Sequence, residues 1–126
     1  MPVIDNYYAL IDEGRLDDAV TLLAPDVEFA MVLPAGENRG RGRDRMLEYL
    51  LNRPPVNRKH VLLRVASDRD VEFAQGKVTE NGSGGGAVTT GYFVGVMHVD
   101  DRGFIDRYQV SFSFDFTILP NEGVQR

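Results

Sequence analysis

Cysteine is absent from the chain, and positive charge is scarce. Without cysteine there is no disulfide framework, no thiol nucleophile and no cysteine-ligated metal. Lysine and arginine together number 14 against 19 aspartate and glutamate residues, so the formal net charge is -5. Because nucleic-acid binding needs a basic face to meet the phosphates, we expect no nucleic-acid partner.

Long apolar runs are also missing. No stretch approaches the length that crosses a bilayer, and the opening MPVIDNYYAL contains no basic segment followed by an apolar one. We therefore expect no membrane partner and a cytoplasmic protein.

The composition is that of one folded domain. Hydrophobic residues make up 43% of the 126 residues and charged residues 26%, which is typical of a globular chain rather than a disordered one. This length allows one hydrophobic core but not two, and no internal repeat divides it, so we expect one domain over residues 1–126.

Three segments have the apolar spacing of helices. The first ends at Gly14, which can adopt a left-handed conformation, the second at Pro25, and the third, GRDRMLEYLLNRPP, at two prolines. The expected buried stripes are Ile4, Tyr7, Tyr8 and Ile11 in the first helix, Leu16, Ala19, Val20 and Leu23 in the second, and Met46, Leu47, Leu50 and Leu51 in the third.

Five segments alternate as strands do. DVEFAMVLP precedes the third helix, and HVLLRVAS, VEFAQGKVTE, AVTTGYFVGVMHV and FIDRYQVSFSFDFTIL follow it, separated by turns at DRD, NGSGGG and DDRG. The last strand alternates most regularly. One face of it carries Tyr108, Val110, Phe112, Phe114 and Phe116, and the other carries Arg107, Gln109, Ser111, Ser113 and Asp115.

Two glycine-containing segments carry no chemistry in this interpretation. RGRGRDR is expected to be a solvated turn that leads into the third helix, because the net charge argues against a nucleic-acid tract. NGSGGG precedes a strand rather than a helix, so it does not suit a phosphate loop.

The order of the elements predicts the fold class. Helices come early and an antiparallel meander comes late, which indicates an α+β fold with three N-terminal helices packed on a strongly curved, mostly antiparallel sheet. A sheet bent around a helix leaves a conical space, so we expect a cone with an internal pocket, and the tyrosine-rich first helix forms its lid or wall.

Three segments in this order resemble the nuclear transport factor 2-like superfamily, and in particular its SnoaL-like branch. They are YYALIDEGRLDDAVTLLAPDVEF in the first two helices and first strand, GRDRMLEYL at the third helix, and VGVMHVDDRGFI at the last hairpin. The resemblance covers nearly the whole chain and implies the cone. It does not fix the function, because ketosteroid isomerase, scytalone dehydratase, limonene epoxide hydrolase, polyketide cyclases and non-catalytic modules share this fold.

Two catalytic patterns of the superfamily are incomplete in this chain. Tyr7 matches the oxyanion-hole tyrosine of ketosteroid isomerase, but the isomerase base falls at Met31 and its protonated acid at Gly95. The acid that the hydrolases carry in the last strand falls at Val110. The resemblance therefore implies neither mechanism here.

The dehydratase pattern is partly present. Asp12 and His60 stand where the resemblance places an acid at the end of the first helix and a histidine at the start of the strand after the third helix. The second histidine would fall near Glu80 or Asn81, and the substrate-orienting tyrosine near Met31. We take His60, Asp12 and Tyr7 as candidate catalytic residues, because imidazole exchanges protons near neutral pH and a carboxylate can orient it.

Each of these candidates also has a purely structural interpretation. Tyr7 can be a core residue whose hydroxyl finds any partner, and His60 can be a strand-terminal histidine bonded to backbone. Asp12 can cap its helix or face water. His60 and His98, without a clustered acid motif, are too weak a signal for a metal, so we expect neither a metal nor an organic cofactor, and we expect His98 near a hairpin and away from the cone.

The register of the superfamily predicts an apolar lining with few polar anchors. Such a lining suits a small hydrophobic or aromatic molecule held by one or two hydrogen bonds, although the same side chains can simply fill the cone. The predicted ligand-binding residues are Phe29, Met31, Phe93, Gly95, Met97, Tyr108, Val110, Phe112 and Phe114.

The opposite face of the sheet predicts a homodimer. If Phe93 and Met97 face the cone, then Tyr92, Val94 and Val96 leave the convex face, and a monomer rarely exposes three neighbouring apolar side chains. Gln109, Ser111 and Ser113 would form a polar margin. Two functions therefore stay open: an isomerase, cyclase or dehydratase acting by general acid-base chemistry, and a non-catalytic binding or dimerisation module.

Overall fold

The computed structural model describes residues 2–115, and it has the predicted α+β architecture. Three helices lie on one side of a mixed six-stranded sheet within these residues. The helices are α1 (Val3–Asp12), α2 (Leu16–Val20) and α3 (Arg43–Leu51). The strands are β1 (Leu23–Leu33), β2 (Gly36–Arg41), β3 (Lys59–Asp68), β4 (Val71–Asn81), β5 (Ala87–Val99) and β6 (Ile105–Ser113).

The strand order across the sheet is β2-β1-β6-β5-β4-β3. β1 and β6 run parallel, and the other neighbouring strands are antiparallel. Register shifts interrupt four of the five strand pairs. Such irregularities bend strands and increase their twist, so the sheet curves into a cone around α1.

The first helix behaves as its apolar spacing predicts. Ile4, Tyr7, Tyr8 and Ile11 are all buried. Gly14 follows the helix with φ +79°, the left-handed conformation in which glycine commonly terminates a helix. α1 contacts β3 and β4, so its tyrosine face lies over the concave side of the sheet.

The second helix is shorter than predicted, and the first strand begins earlier. α2 ends at Val20, and both Leu23 and Pro25 belong to β1. The cause is strand pairing: Leu23 lies opposite Ile105, whose backbone N–H donates to the carbonyl oxygen of Leu22 at 2.9 Å. Hydrogen bonding to β6 therefore overrides the helical spacing of this stretch.

The prediction of a turn at the arginine-rich segment is wrong, because residues 36–41 form β2. This strand pairs with residues 28–33 of β1, and its side chains are mostly exposed. Gly40 lies opposite Phe29, where a Cβ atom would come within 2.4 Å of the ring. Glycine at this position leaves the room that the Phe29 ring occupies.

The third helix buries the expected face except at Leu51. Met46 and Leu50 are buried and Tyr49 is partly buried, whereas Leu51 is 65% exposed. Tyr49 lies three positions after Met46, so the face that turns inward is Met46, Tyr49 and Leu50. Leu47 is also partly buried and packs against the core, so Leu51 is the one expected residue that lies outside this face.

The ends of the late strands agree with the sequence except at the last one. β5 has the predicted bounds, whereas β6 stops at Ser113 and leaves Phe114 78% exposed. Phe116, assigned to the same face, lies outside the described residues. Across residues 2–115, no helix combines the length and apolar character needed to cross a membrane.

Candidate functional site

A cavity of about 560 Å³ lies between the concave face of the sheet and helices α1 and α3. Its volume is in the range of small-molecule sites. The apolar part of its lining includes Ile11, Phe29, Leu33, Met31, Met46, Val78, Val110 and Phe112. The polar part includes Tyr7, Tyr8, Tyr49, Tyr108, His60, Arg45, Arg53, Arg58, Glu48 and Glu80.

Six of the nine predicted ligand-binding residues line this cavity. Phe112 is half-buried there, and Phe114 stands at the exposed rim just beyond the end of β6. The six are Phe29, Met31, Tyr108, Val110, Phe112 and Phe114.

The other three predicted residues, Phe93, Gly95 and Met97, do not line the cavity. They face the concave side, but Tyr8 and Ile4 of α1 pack directly over them and close this end of the cone. The Phe93 ring lies 5.2 Å from that of Tyr8. A Cβ atom at Gly95 would come within 2.8 Å of the Tyr8 hydroxyl, so glycine gives the tyrosine its place.

Asp12 and His60 meet at the edge of the cavity. Asp12 is the last residue of α1 and His60 is near the start of β3, which the helix contacts. The Nδ1 atom of His60 lies 2.8 Å from Oδ1 of Asp12, and the His60 backbone N–H donates to Oδ2 at 2.6 Å. Lys59 Nζ donates to the carbonyl oxygen of Asp12 at 2.5 Å. The backbone N–H and the ring of His60 thus hold the two carboxylate oxygens, and Lys59 holds the end of α1.

The surroundings hold the His60 ring in one orientation. Its side chain is only 4% exposed, and its ring lies 4.7 Å from that of Tyr8 and 5.2 Å, edge to face, from that of Phe93. Since Asp12 accepts a hydrogen bond from Nδ1, Nε2 carries the lone pair in the neutral ring. Within residues 2–115, Nε2 has no hydrogen-bond partner.

Three buried tyrosines differ in how their hydroxyl groups are bonded. The hydroxyl groups of Tyr8 and Tyr108 share a short hydrogen bond. The Tyr7 hydroxyl is buried and has no partner among the described residues. Burial raises the pKa of all three, so each is a neutral phenol at physiological pH. Tyr7 is therefore a free hydrogen-bond donor in the cavity wall.

Sequence reasoning missed the arginines of the cavity. Arg58 Nε donates to Glu80 Oε2 at 3.0 Å, so this pair is neutralised. Nε of Arg53 is buried without a hydrogen-bond partner in the described part of the chain. Burial, followed by the charge of Arg58, lowers the pKa of Arg53. Helical spacing offered no signal for it, because α3 ends at Leu51, two positions before Arg53.

The second histidine lies elsewhere. His98 stands near the hairpin between β5 and β6 and does not line the cavity. Its Nδ1 lies 2.5 Å from Asp106 Oδ1, and its Nε2 lies 2.8 Å from Asp70 Oδ2. Among residues 2–115 no cluster of histidine and acidic side chains has the arrangement to hold a metal ion.

The same cone occurs in solved structures of several enzymes and enzyme-like proteins. A candidate ketosteroid isomerase from Kribbella flavida is 21% identical, with a TM-score of 0.70 over 98% of this chain and 86% of the other. The epoxide hydrolase/cyclase-like enzyme SalBIII, of pyran ring formation in salinomycin, is 16% identical, with a TM-score of 0.71 over 88% of each chain. An LEH-like epoxide hydrolase from M. tuberculosis is 18% identical, with a TM-score of 0.69 over 88% of this chain and 80% of the other. At these identities the likeness shows the nuclear transport factor 2-like fold alone.

Residues 4–108 match the model of the SnoaL-like domain. The chain therefore belongs to the SnoaL-like family. No curated protein matches its sequence.

Proposed function

We propose that the chain binds a small hydrophobic or aromatic molecule in the cavity and transfers a proton to or from it through His60. Reactions of this kind include isomerisation, cyclisation and dehydration. Asp12 orients the imidazole, and Tyr7 donates a hydrogen bond to an oxygen of the bound molecule.

The Asp12–His60 pair at the cavity edge carries this proposal. A carboxylate 2.8 Å from Nδ1 sets the tautomer that leaves Nε2 as the acceptor, and it stabilises the imidazolium that forms after proton uptake. The aromatic contacts of His60 fix the ring, which saves the cost of ordering it when the substrate binds.

The apolar wall defines the kind of molecule. Met31 and Val110 are neighbours across β1 and β6, and both line the cavity at positions where a carboxylate would be needed for the isomerase or hydrolase mechanism. Of the other bases that line the cavity, Glu80 is paired with Arg58 and Glu48 is exposed, so we assign the base to His60. The apolar part of the lining, beside His60 and the Tyr7 hydroxyl, favours a largely hydrophobic substrate.

A generic base-catalysis probe tests the proposal without knowledge of the natural substrate. In 5-nitrobenzisoxazole, a base removes the proton on the ring carbon beside nitrogen, the N–O bond breaks, and a nitrile and a coloured phenolate form. The probe is neutral, aromatic and small. We expect saturable turnover by the unmodified chain, measured by the absorbance of the phenolate.

The variants His60→Ala and His98→Ala form a matched pair for this assay. Loss of a general base lowers the rate by about a hundredfold or more, so His60→Ala should remove most of the turnover above the buffer reaction. His98→Ala should leave the rate as it is, because His98 does not line the cavity. Equal rates in the two variants, or no turnover by the unmodified chain, would contradict the proposal.

The second candidate, a non-catalytic dimerisation module, is favoured by an apolar patch on the convex face. Val94 is 37% exposed, Val96 36% and Phe73 39%, and Val96 lies directly opposite Phe73 in the strand pairing. Gln109 and Ser111 pair with these valines from β6 and give the patch a polar margin. A self-complementary patch of this kind suits a two-fold contact with a second copy of the chain.

Sedimentation at micromolar concentration tests the dimer. We expect a dimer for the unmodified chain and a monomer for Val94→Glu, because each interface would bury two unpaired carboxylates. Val88→Glu is the matched control, since Val88 is 49% exposed on the same strand but outside the patch. A clean monomer, or a dimer that Val94→Glu leaves intact, would show that this face is not the interface.

A further inference from the structure

The polar wall of the cavity contains a half-buried arginine whose Nε atom is buried and has no partner among the described residues. Among residues 2–115, Nε of Arg53 has no hydrogen-bond partner, and Asp12, the carboxylate whose charge acts on Arg53, is hydrogen-bonded to His60. A guanidinium group stays charged in proteins, so the side chain cannot escape the cost of burial by losing its proton. A buried charge without a partner is unfavourable, which suggests that an occupant of the cavity supplies the missing anion.

A second unsatisfied group lies near Arg53. The Tyr7 hydroxyl, on a residue that is 1% exposed, also lacks a partner among the described residues and lines the same cavity. Arg53 and Tyr7 thus line one cavity, and each has a buried donor atom without a partner. Both groups donate hydrogen bonds and neither has an acceptor in the described chain, so the partner that each one lacks is a hydrogen-bond acceptor.

The charge of the lining points in the same direction. Three arginines and two glutamates line the cavity, an excess of one positive charge, although the whole chain carries a net charge of -5. Arg58 and Glu80 neutralise one another. The other charged residues of the lining are Arg45, Arg53 and Glu48, and of the two arginines Arg45 is exposed whereas Arg53 is half-buried.

We propose that Arg53 and the Tyr7 hydroxyl form an anion subsite that binds the carboxylate of a hydrophobic carboxylic acid held in the cavity. The inference rests on the proposed function, because it assigns the substrate class to the same cavity. Nε and one terminal nitrogen of Arg53 present a planar fork that matches the two carboxylate oxygens, and the tyrosine adds a third donor. The apolar wall that includes Met31 and Phe112 contacts the hydrocarbon part of the acid.

Two matched probes test the subsite by calorimetry. 2-Naphthoate and 2-naphthamide have the same ring system and similar shape, but only the first carries a charge. We expect the unmodified chain to bind the naphthoate at least about tenfold more tightly, since hydrogen bonds to charged groups are the stronger ones. Arg53→Met keeps the length of the side chain and should abolish this preference, and Tyr7→Phe should weaken it about threefold to tenfold.

Arg45→Met is the control for net charge. Arg45 also lines the cavity but is exposed, so its loss should change naphthoate affinity about twofold at most. Thermal unfolding of Arg53→Met without a ligand gives a separate measurement. The melting temperature should not fall, because the substitution removes an unpaired buried charge.

The outcomes separate this inference from the proposed function. If naphthamide binds as tightly as naphthoate, or Arg53→Met keeps the preference, the subsite is wrong and hydrophobic binding in the cavity stands. If both acids and amides fail to bind, both proposals fail. If the naphthoate preference is found but 5-nitrobenzisoxazole is not turned over, the subsite stands and catalysis by His60 falls.

Discussion

The two histidines of this chain are both bonded to aspartate, yet they differ in what they can do. His60 has one carboxylate partner, a side chain that is 4% exposed, and a place in the cavity wall. His98 has two carboxylate partners and a side chain that is 35% exposed. Asp106 and Asp70 together raise the pKa of His98, and Asp106 has the larger effect.

The number of free ring nitrogens explains the difference. Two carboxylates that each accept a hydrogen bond from the same imidazole require protons on both nitrogens, so His98 is favoured as a cation with no lone pair to offer. A single carboxylate on His60 leaves the other nitrogen available. An acidic neighbour is therefore not enough to mark a base, because a second one converts the histidine into a structural cation.

The largest expected effect concerns the packed aromatic side chain behind His60. Phe93 is 1% exposed and contacts both His60 and Tyr8, so Phe93→Ala should destabilise the chain by about 3 to 5 kcal/mol. Phe112→Ala is the matched control, because Phe112 pairs with Phe93 across the sheet but lines the cavity. It should cost less than about 2 kcal/mol.

Chemical denaturation of both variants measures this difference. Equal losses of stability would mean that the side chains around Phe112 are packed as tightly as those at the closed end of the cone. The packing of Phe93 against His60 would then be no tighter than the packing in the cavity wall. A further comparison with His98→Ala should give a smaller loss than Phe93→Ala, since His98 lies at a partly exposed hairpin.

The packing depth of these aromatic residues marks the limit of sequence reasoning. Alternation assigned Phe93, Gly95 and Met97 to the same face as Phe112, which is correct for the concave side. It carries no information on depth, which depends on how closely Tyr8 and Ile4 of α1 approach the sheet. Apolar spacing also failed to predict β2, because its glycine and polar residues form no apolar face. It failed to identify Arg53 as a cavity residue because Arg53 is not apolar.

The Asp12–His60 pair was predictable only through the family resemblance. The two residues lie 48 positions apart, and neither has a local motif. Once the order of helices and strands indicates the cone, the end of α1 and the start of β3 come together, and a carboxylate and an imidazole at those positions must be neighbours. The resemblance also showed that the chain lacks the family's acids at Met31 and Val110. Only the packing of the folded chain shows that the Tyr7 hydroxyl is unpaired among the described residues.

The substitution Asp12→Asn replaces a hydrogen-bond acceptor beside His60 with a donor. Asp12→Asn keeps one oxygen for the backbone N–H of His60, so the amide NH₂ faces Nδ1 and favours the tautomer with the proton on Nε2. The lone pair on Nε2 is then lost. We expect turnover of 5-nitrobenzisoxazole to fall about tenfold or more, with little change in the affinity for 2-naphthamide.

Asp106→Asn is the control for this exchange. It makes the same chemical change beside His98 and should leave turnover unchanged, because the His98 cluster does not contact the cavity. A similar loss of rate in both variants would indicate a general effect on folding. An unchanged rate in Asp12→Asn would show that the pair does not set the tautomer of the base.

The smallest expected effect is the pH dependence of stability that arises from His98. Its pKa is raised in the folded chain by Asp106 and then Asp70, so the protonated form is stabilised by folding. The contribution is complete below the ordinary histidine pKa of about 6.5 and is lost as the pH rises through the raised value. Because the side chain is 35% exposed, this contribution to the free energy of unfolding should amount to about 1 kcal/mol at most.

Urea unfolding from about pH 5.5 to pH 9 should show this loss in the unmodified chain and a smaller one in His98→Gln, which cannot titrate. The same slope in both proteins would mean that another group, and not the doubly bonded histidine, carries the pH dependence.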